Sequence, residues 1–72
     1  MKKFTPPLWR APDGTTLDCK EKIKVLNENL MEIKELSQEA LEDAVLMGGD
    51  EKQFKTVLSE LIDSLTNPYK KN

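Results

Sequence analysis

Apolar residues recur at helical spacing in two stretches of this sequence, and the pair Gly48-Gly49 separates the two stretches. In the first stretch the steps alternate between four and three, the heptad spacing that keeps one face of a helix against a neighbouring helix. This seam consists of Cys19, Ile23, Leu26, Leu30, Ile33, Ser37, Ala40, Ala44 and Met47. The second stretch repeats the pattern with Phe54, Val57, Leu58, Leu61, Ile62 and Leu65. The spacing therefore predicts two amphipathic helices.

Both predicted helices begin with the same signature, an aspartate followed three residues later by a glutamate or glutamine. Asp18 precedes Glu21, and Asp50 precedes Gln53. An aspartate at the N-cap accepts a hydrogen bond from a backbone N–H of the first turn, and the Glu or Gln completes a capping box. We therefore expect Asp18 and Asp50 to be the N-caps.

The ends of the helices are marked by glycine and proline. Gly48-Gly49 is expected to end the first helix, because glycine readily takes the left-handed conformation past a helix end. Asn67-Pro68 is expected to end the second, because the residue before proline is disfavoured in the helical region. At about 1.5 Å per residue the two helices would be roughly 43 Å and roughly 25 Å long.

The first 17 residues contain helix breakers together with apolar side chains. Pro12-Asp13-Gly14 is a turn signal, and it predicts either an ordered N-terminal arm or a small β-hairpin that pairs residues 8–11 with residues 15–17. Phe4, Leu8 and Trp9 give this arm a surface to pack with. The predicted organisation is an N-terminal arm at 1–17, an antiparallel helical hairpin at 18–67, and a basic C-terminal tail at 68–72 that includes Lys70 and Lys71.

The unequal helix lengths predict a partner. A short Gly-Gly connection makes the helices antiparallel neighbours, so the second helix covers only residues 31–47 of the first. The remaining seam needs either the chain's own Leu8-Trp9 or a second copy, and both can act together. We expect a mainly α fold that dimerises into a four-helix bundle. The expected interface residues are Trp9, Ile23, Leu26, Leu30, Ile33, Ala40 and Ala44.

Composition excludes several classes of function. One cysteine cannot form an internal disulfide, and the absence of histidine removes the usual zinc spacings. The net charge of −2 argues against a general polyanion binder. No motif of a known catalytic or cofactor-binding loop is present. No apolar run approaches the roughly 20 residues that cross a bilayer. We expect a cytoplasmic protein with no catalytic, cofactor or metal residues and no membrane association.

Three features have both a functional and a structural interpretation. The glutamates Glu28, Glu32, Glu35, Glu39 and Glu42 share one helix face, which favours a solvated surface over a site for a basic partner or a divalent cation. Cys19 lies on the seam and is interpreted as a small buried apolar residue rather than a reactive thiol, since no histidine is present as a base. Ser37, Ala40 and Ala44 are small, which favours insertion of Phe54 or of a partner's aromatic ring over a ligand cavity at this place.

The leading functional hypothesis is a small protein–protein interaction or regulatory module that acts as a homodimer. The alternative is a nucleic-acid-associated factor with a basic end formed by Lys2, Lys3, Trp9, Arg10 and residues 20–24. Aromatic and basic side chains together are typical of proteins that bind single strands. The low number of such residues favours the first hypothesis.

Overall fold

The computed structural model describes residues 3–69, and over that range the chain is mainly helical. Helix α1 is Lys20–Leu46 with 27 residues, and helix α2 is Glu51–Asp63 with 13 residues. No strand is present in residues 3–69. The prediction of two helices is confirmed. Contacts group the chain into two compact units that divide between Leu36 and Ser37, and each unit is described by itself.

The first unit begins with a turn that returns the chain toward the start of α1. Gly14 has a φ of +90°, and its N–H donates to the carbonyl of Ala11 at 2.9 Å. In place of the predicted β-hairpin the structure has an isolated antiparallel bridge between Arg10 and Thr16. Two backbone hydrogen bonds accompany it: the N–H of Ala11 donates to the carbonyl of Thr15 at 2.8 Å, and the N–H of Leu17 donates to the carbonyl of Trp9 at 2.9 Å.

Helix α1 starts one residue later than the sequence predicts. The carbonyl of Cys19 accepts a bond from the N–H of Ile23 at 3.0 Å, so Cys19 occupies the capping position. Within the described residues, the Asp18 carboxylate forms no hydrogen bond, and the prediction of Asp18 as the N-cap is wrong. The N–H of Leu17 is still bonded to Trp9, so the turn holds the chain immediately before Asp18.

Helix α1 ends in a Schellman motif, in which two successive N–H groups bond back to the last turn. The N–H of Gly48 donates to the carbonyl of Val45 at 3.0 Å, and that of Gly49 donates to the carbonyl of Ala44 at 2.7 Å. Gly48 has a φ of +92°. A Cβ at Gly49 would lie 2.9 Å from the Ala44 carbonyl oxygen. The two glycines are therefore required for different reasons, one for its backbone conformation and one for its close approach.

Helix α2 starts as the sequence predicts. Asp50 has an extended backbone, with φ −83° and ψ 128°, and its carboxylate accepts from the N–H of Gln53 at 2.7 Å. This bond satisfies one of the N–H groups that the first turn leaves without a partner. The prediction of Asp50 as the N-cap is confirmed.

Helix α2 ends at Asp63, several residues before the predicted stop at Asn67-Pro68. The hydroxyl of Ser64 donates to the carbonyl of Leu61 at 2.6 Å, and its N–H donates to the carbonyl of Glu60 at 3.0 Å. Ser64 is thus the C-cap of α2, and its hydroxyl satisfies a carbonyl of the last turn. Proline restricts only the residue directly before it, so it did not fix this boundary.

No residue in the range 3–69 is buried. The half-buried positions of α1 are Ile23, Leu26, Asn27, Leu30, Lys34, Ser37, Gln38, Ala40, Leu41 and Ala44. Ile33 is 54% exposed, while its neighbour Lys34 is half-buried. Ile33 is the exception among the predicted seam residues within α1, since Ser37, Ala40 and Ala44 beyond it are half-buried again.

Cys19 is exposed, and its prediction as a small buried residue is wrong. The reason is its position before the first residue of α1, where the helical spacing no longer determines which way a side chain points. Met47, the last predicted seam residue, lies beyond the other end of α1 and is 81% exposed. The predicted basic tail residues Lys70 and Lys71 lie outside the described residues.

Candidate interaction surfaces

The N-terminal segment is attached to α1 by a hydrogen bond between two side chains. The indole Nε1–H of Trp9 donates to Oδ1 of Asn27 at 2.7 Å, and both residues are half-buried. Such a bond contributes about 1 kcal/mol, and the indole ring adds apolar contact area. Sequence reasoning missed Asn27 because it looked for apolar residues on the seam. The spacing of four residues from Ile23 places Asn27 on the same helix face, but it does not identify Trp9 as its partner.

The turn of the N-terminal segment is held by Asp13. One oxygen of its carboxylate accepts from the hydroxyl of Thr15 at 2.6 Å and from the N–H of Thr15 at 3.0 Å. These two bonds favour the ionised form, so they lower the pKa of Asp13. The guanidinium of Arg10 donates to the carbonyl of Gly14 at 3.1 Å. The turn is therefore ordered by its own polar groups.

The first unit has an open apolar depression of about 460 Å³. Leu17 from the N-terminal segment and Val25 and Leu26 from α1 supply its apolar lining, with Glu21 and Lys22 at the rim. Val25 is 54% exposed. Further along α1, Ile33 and Leu36 are also exposed. A second exposed apolar group thus lies further along the part of α1 that belongs to this unit, with the exposed Asn29 between it and Val25.

In the second unit, helix α2 and the last turns of α1 form a helical hairpin. Ala44 and Phe54 line one shallow depression together, which brings a small seam residue beside an aromatic ring. Another depression lies between the helices and is lined by Gln38, Leu41, Glu42, Val45, Leu46 and Glu51. Large apolar side chains of this unit remain exposed, namely Val45, Leu46, Met47, Val57, Leu61, Ile62 and Leu65.

The predicted acidic row is exposed along its whole length. Glu28 forms an ion pair with Lys24 at 3.9 Å, and Glu42 accepts from the side-chain amide of Gln38 at 2.9 Å. Both contacts are between side chains four residues apart on one helix, and each such pair contributes only a few tenths of a kcal/mol. In residues 3–69 no three side chains of the metal-ligating types are grouped around a common point.

The predicted basic end is only partly within the described residues, since Lys2 lies outside them. Lys3, Arg10, Lys20, Lys22 and Lys24 are exposed. Trp9 is half-buried with its N–H bonded to Asn27, whereas binders of single strands present aromatic rings for bases to stack on. The structure therefore brings the charges of this end to the surface and holds its aromatic ring against α1.

Neither helix in the described part of the chain is long and apolar enough to cross a membrane. No protein-family model, curated protein or solved structure that was compared with this chain matches it.

Proposed function

We propose that this protein is a small cytoplasmic protein–protein interaction or regulatory module that acts as a homodimer and carries out no catalysis. The observation that carries the proposal is the absence of any buried residue between positions 3 and 69. Two amphipathic helices gain stability by placing their apolar faces inside a packed core. A single copy provides only half-buried positions, so a second layer of helices is needed to complete the core.

The extent of the exposed apolar surface supports the same proposal. Within the described residues, fourteen large apolar side chains are exposed. Burial of apolar surface contributes roughly 25 cal/mol per Å², so covering these groups would stabilise an assembly substantially. Large exposed apolar patches typically mark contact surfaces between proteins.

In the proposed dimer, two helical hairpins form a four-helix bundle. The residues proposed to meet in the shared core are Trp9, Ile23, Leu26, Leu30, Ile33, Ala40 and Ala44. Ile33 is the most exposed of the large apolar residues of this set that belong to α1, which leaves it available to a partner. Ala40 and Ala44 would allow two backbones to approach closely.

The test is the absolute mass in solution, measured by light scattering on a sizing column over a wide concentration range. We expect a mass near twice that of one chain. Leu26→Asp should convert the dimer to a monomer, because an ionised carboxylate is costly in an apolar interface. Asn29→Asp is the matched control, since it places the same charge on an exposed polar position of the same helix.

Because Leu26→Asp can also unfold the chain, Leu26→Ala provides a milder change. It should raise the dimer dissociation constant while helicity at high concentration is retained. A monomeric mass for the unmodified protein, with full helicity, would contradict the proposal. The nucleic-acid alternative stays a prediction, and the absence of oligonucleotide binding at low salt would remove it.

A further inference from the structure

Helix α1 carries a second apolar surface in the first unit, apart from its half-buried seam. Val25, Ile33 and Leu36 are separated by eight and three residues, so they lie along one side of a helix. Their side chains are 54%, 54% and 70% exposed. Val25 and Leu36 are about 16 Å apart along the helix axis, a length of three turns. We name Val25, Ile33 and Leu36 the outer stripe.

The outer stripe ends at the apolar depression of the first unit, because Val25 belongs to both. The depression is formed with Leu17 and Leu26 and has a volume of about 460 Å³. The depression is shallow and open, and a large apolar side chain, the usual anchor at a protein interface, could rest in it. The exposed polar Asn29 lies between Val25 and Ile33 on this side of α1, so the apolar surface consists of two parts, Val25 with the depression and Ile33 with Leu36.

One side of the outer stripe is acidic. Glu21 and Glu28 are four and three residues from Val25, and Glu32 is four residues from Leu36, so these side chains are direct neighbours on the helix surface. All three are exposed. In residues 3–69 only Glu28 of the three forms an ion pair, an exposed one with Lys24. A partner on the stripe would therefore meet several carboxylates along one edge.

The acidic edge disfavours a second copy of α1 that packs antiparallel on this surface. When two identical helices pack antiparallel along a stripe, the same edge of each helix meets, and Glu28 and Glu32 of one copy would face those of the other. Like charges at such positions are destabilising. A partner with basic residues at this edge would instead form attractive charge pairs with Glu28 and Glu32.

We propose that the outer stripe binds an amphipathic helix of a partner protein whose apolar face is flanked by lysine or arginine. The apolar face covers Val25, Ile33 and Leu36, one large side chain enters the depression beside Leu17, and the basic flank pairs with Glu28 and Glu32. This is the helix-in-groove mode of recognition. The proposal goes beyond the homodimer. Because Leu26 and Ile33 belong both to this surface and to the proposed dimer core, the partner helix and the second copy would compete for this part of α1.

The test uses a synthetic helical peptide of leucine and lysine in heptad order, labelled with a fluorophore, and measures its anisotropy with the full-length protein. A leucine–glutamate peptide with the same pattern is the control for charge. We expect the leucine–lysine peptide to bind and the leucine–glutamate peptide to bind at least roughly tenfold more weakly. Binding should weaken as salt rises, since the pairs are solvent-exposed.

Two pairs of substitutions locate the binding surface. Val25→Ser with Leu36→Ser removes apolar groups of the outer stripe and should weaken peptide binding by roughly tenfold or more. Val57→Ser with Leu61→Ser is the matched control, because those two side chains on α2 are also exposed, at 52% and 56%. Glu28→Gln with Glu32→Gln should weaken binding and reduce its salt dependence, whereas Glu60→Gln with Asp63→Asn should do neither.

The proposal is overturned if the leucine–glutamate peptide binds equally well, or if the α2 pair has the same effect as the stripe pair. It is also overturned if Val25→Ser with Leu36→Ser changes the mass of the protein in solution, because the stripe is then a contact between copies. A monomeric mass for the unmodified protein concerns the homodimer alone and leaves the peptide measurement valid.

Discussion

The two helices start from the same sequence signature but begin in different ways. At α2, Asp50 caps the helix through its bond to the N–H of Gln53 at 2.7 Å. At α1, Asp18 is followed by Glu21 in the same arrangement, yet the first helical bond is made by Cys19. In both places the signature involves only residues three positions apart. The two helices differ in the contacts made by the residues that precede the signature.

The difference lies in what fixes the preceding residues. Before α2 the chain forms a Schellman motif, whose hydrogen bonds join residues no more than five positions apart. Asp50 follows this motif in the extended conformation that an N-cap requires. Before α1 the chain is tied to distant residues, Leu17 to Trp9 and Trp9 to Asn27. A local signature therefore predicts a helix start reliably when the contacts before it are also local.

The largest expected effect comes from breaking the motif that precedes α2. Gly48→Ala places a Cβ on a residue with φ +92°, which costs about 1–2 kcal/mol. We expect the free energy of unfolding to fall by that amount in urea denaturation at fixed protein concentration. Gly48→Asn is the control and should cost less, because asparagine tolerates the left-handed region. Equal stability of Gly48→Ala and the unmodified protein would contradict the role assigned to this turn.

Replacing the two aspartates tests the comparison directly. Asp50→Ala removes the bond to the N–H of Gln53 and should destabilise the protein by about 1 kcal/mol. Asp18→Ala removes a carboxylate that makes no hydrogen bond within the described residues, so we expect a change of less than about 0.5 kcal/mol. Thermal unfolding followed by circular dichroism measures both. Similar losses for the two variants would mean that Asp18 caps α1 after all.

The smallest expected effect concerns the turn before α1. The hydroxyl and N–H of Thr15 lower the pKa of Asp13 below its usual value of 3.8. A lowered pKa in the folded state contributes stability above the unfolded value, and this contribution is lost as pH falls through the folded pKa. Thr15→Val should raise the pKa of Asp13 toward 3.8 in an NMR titration of its carboxyl carbon. Thr16→Val, one residue on, should leave it unchanged.

Much of the fold could be predicted from the sequence because short-range contacts determine it. The apolar spacing predicts the number of helices, and Gly48, Gly49 and Asp50 predict the turn between them. The end of α2 could not be predicted from Asn67-Pro68, because Ser64 is the C-cap and its hydroxyl satisfies the carbonyl of Leu61. Several residues near a helix end can satisfy its last carbonyls, and the pattern alone does not rank them.

The candidate surfaces were less predictable, because they depend on which face of α1 is covered. Heptad spacing places Ile33 on the seam, but Ile33 is exposed and its neighbour Lys34 is half-buried, a local change that the spacing alone does not predict. Asn27 could not be identified as the partner of Trp9, since a polar residue on a helix gives no sign of a contact 18 positions away. The outer stripe follows only from the observed exposure of Val25 and Leu36.

The bond between Trp9 and Asn27 has a consequence for the order of folding. The turn at Gly48 and Gly49 closes over a few residues, and such short loops form early. The contact between Trp9 and Asn27 closes a loop of 18 residues and requires the first turns of α1. We therefore expect it to form after the short turn at Gly48 and Gly49, because the entropy cost of closing a loop rises with its length. Because Trp9 is the only tryptophan in the chain, its fluorescence would report the docking of the N-terminal segment on α1, while the backbone signal reports the formation of the helices.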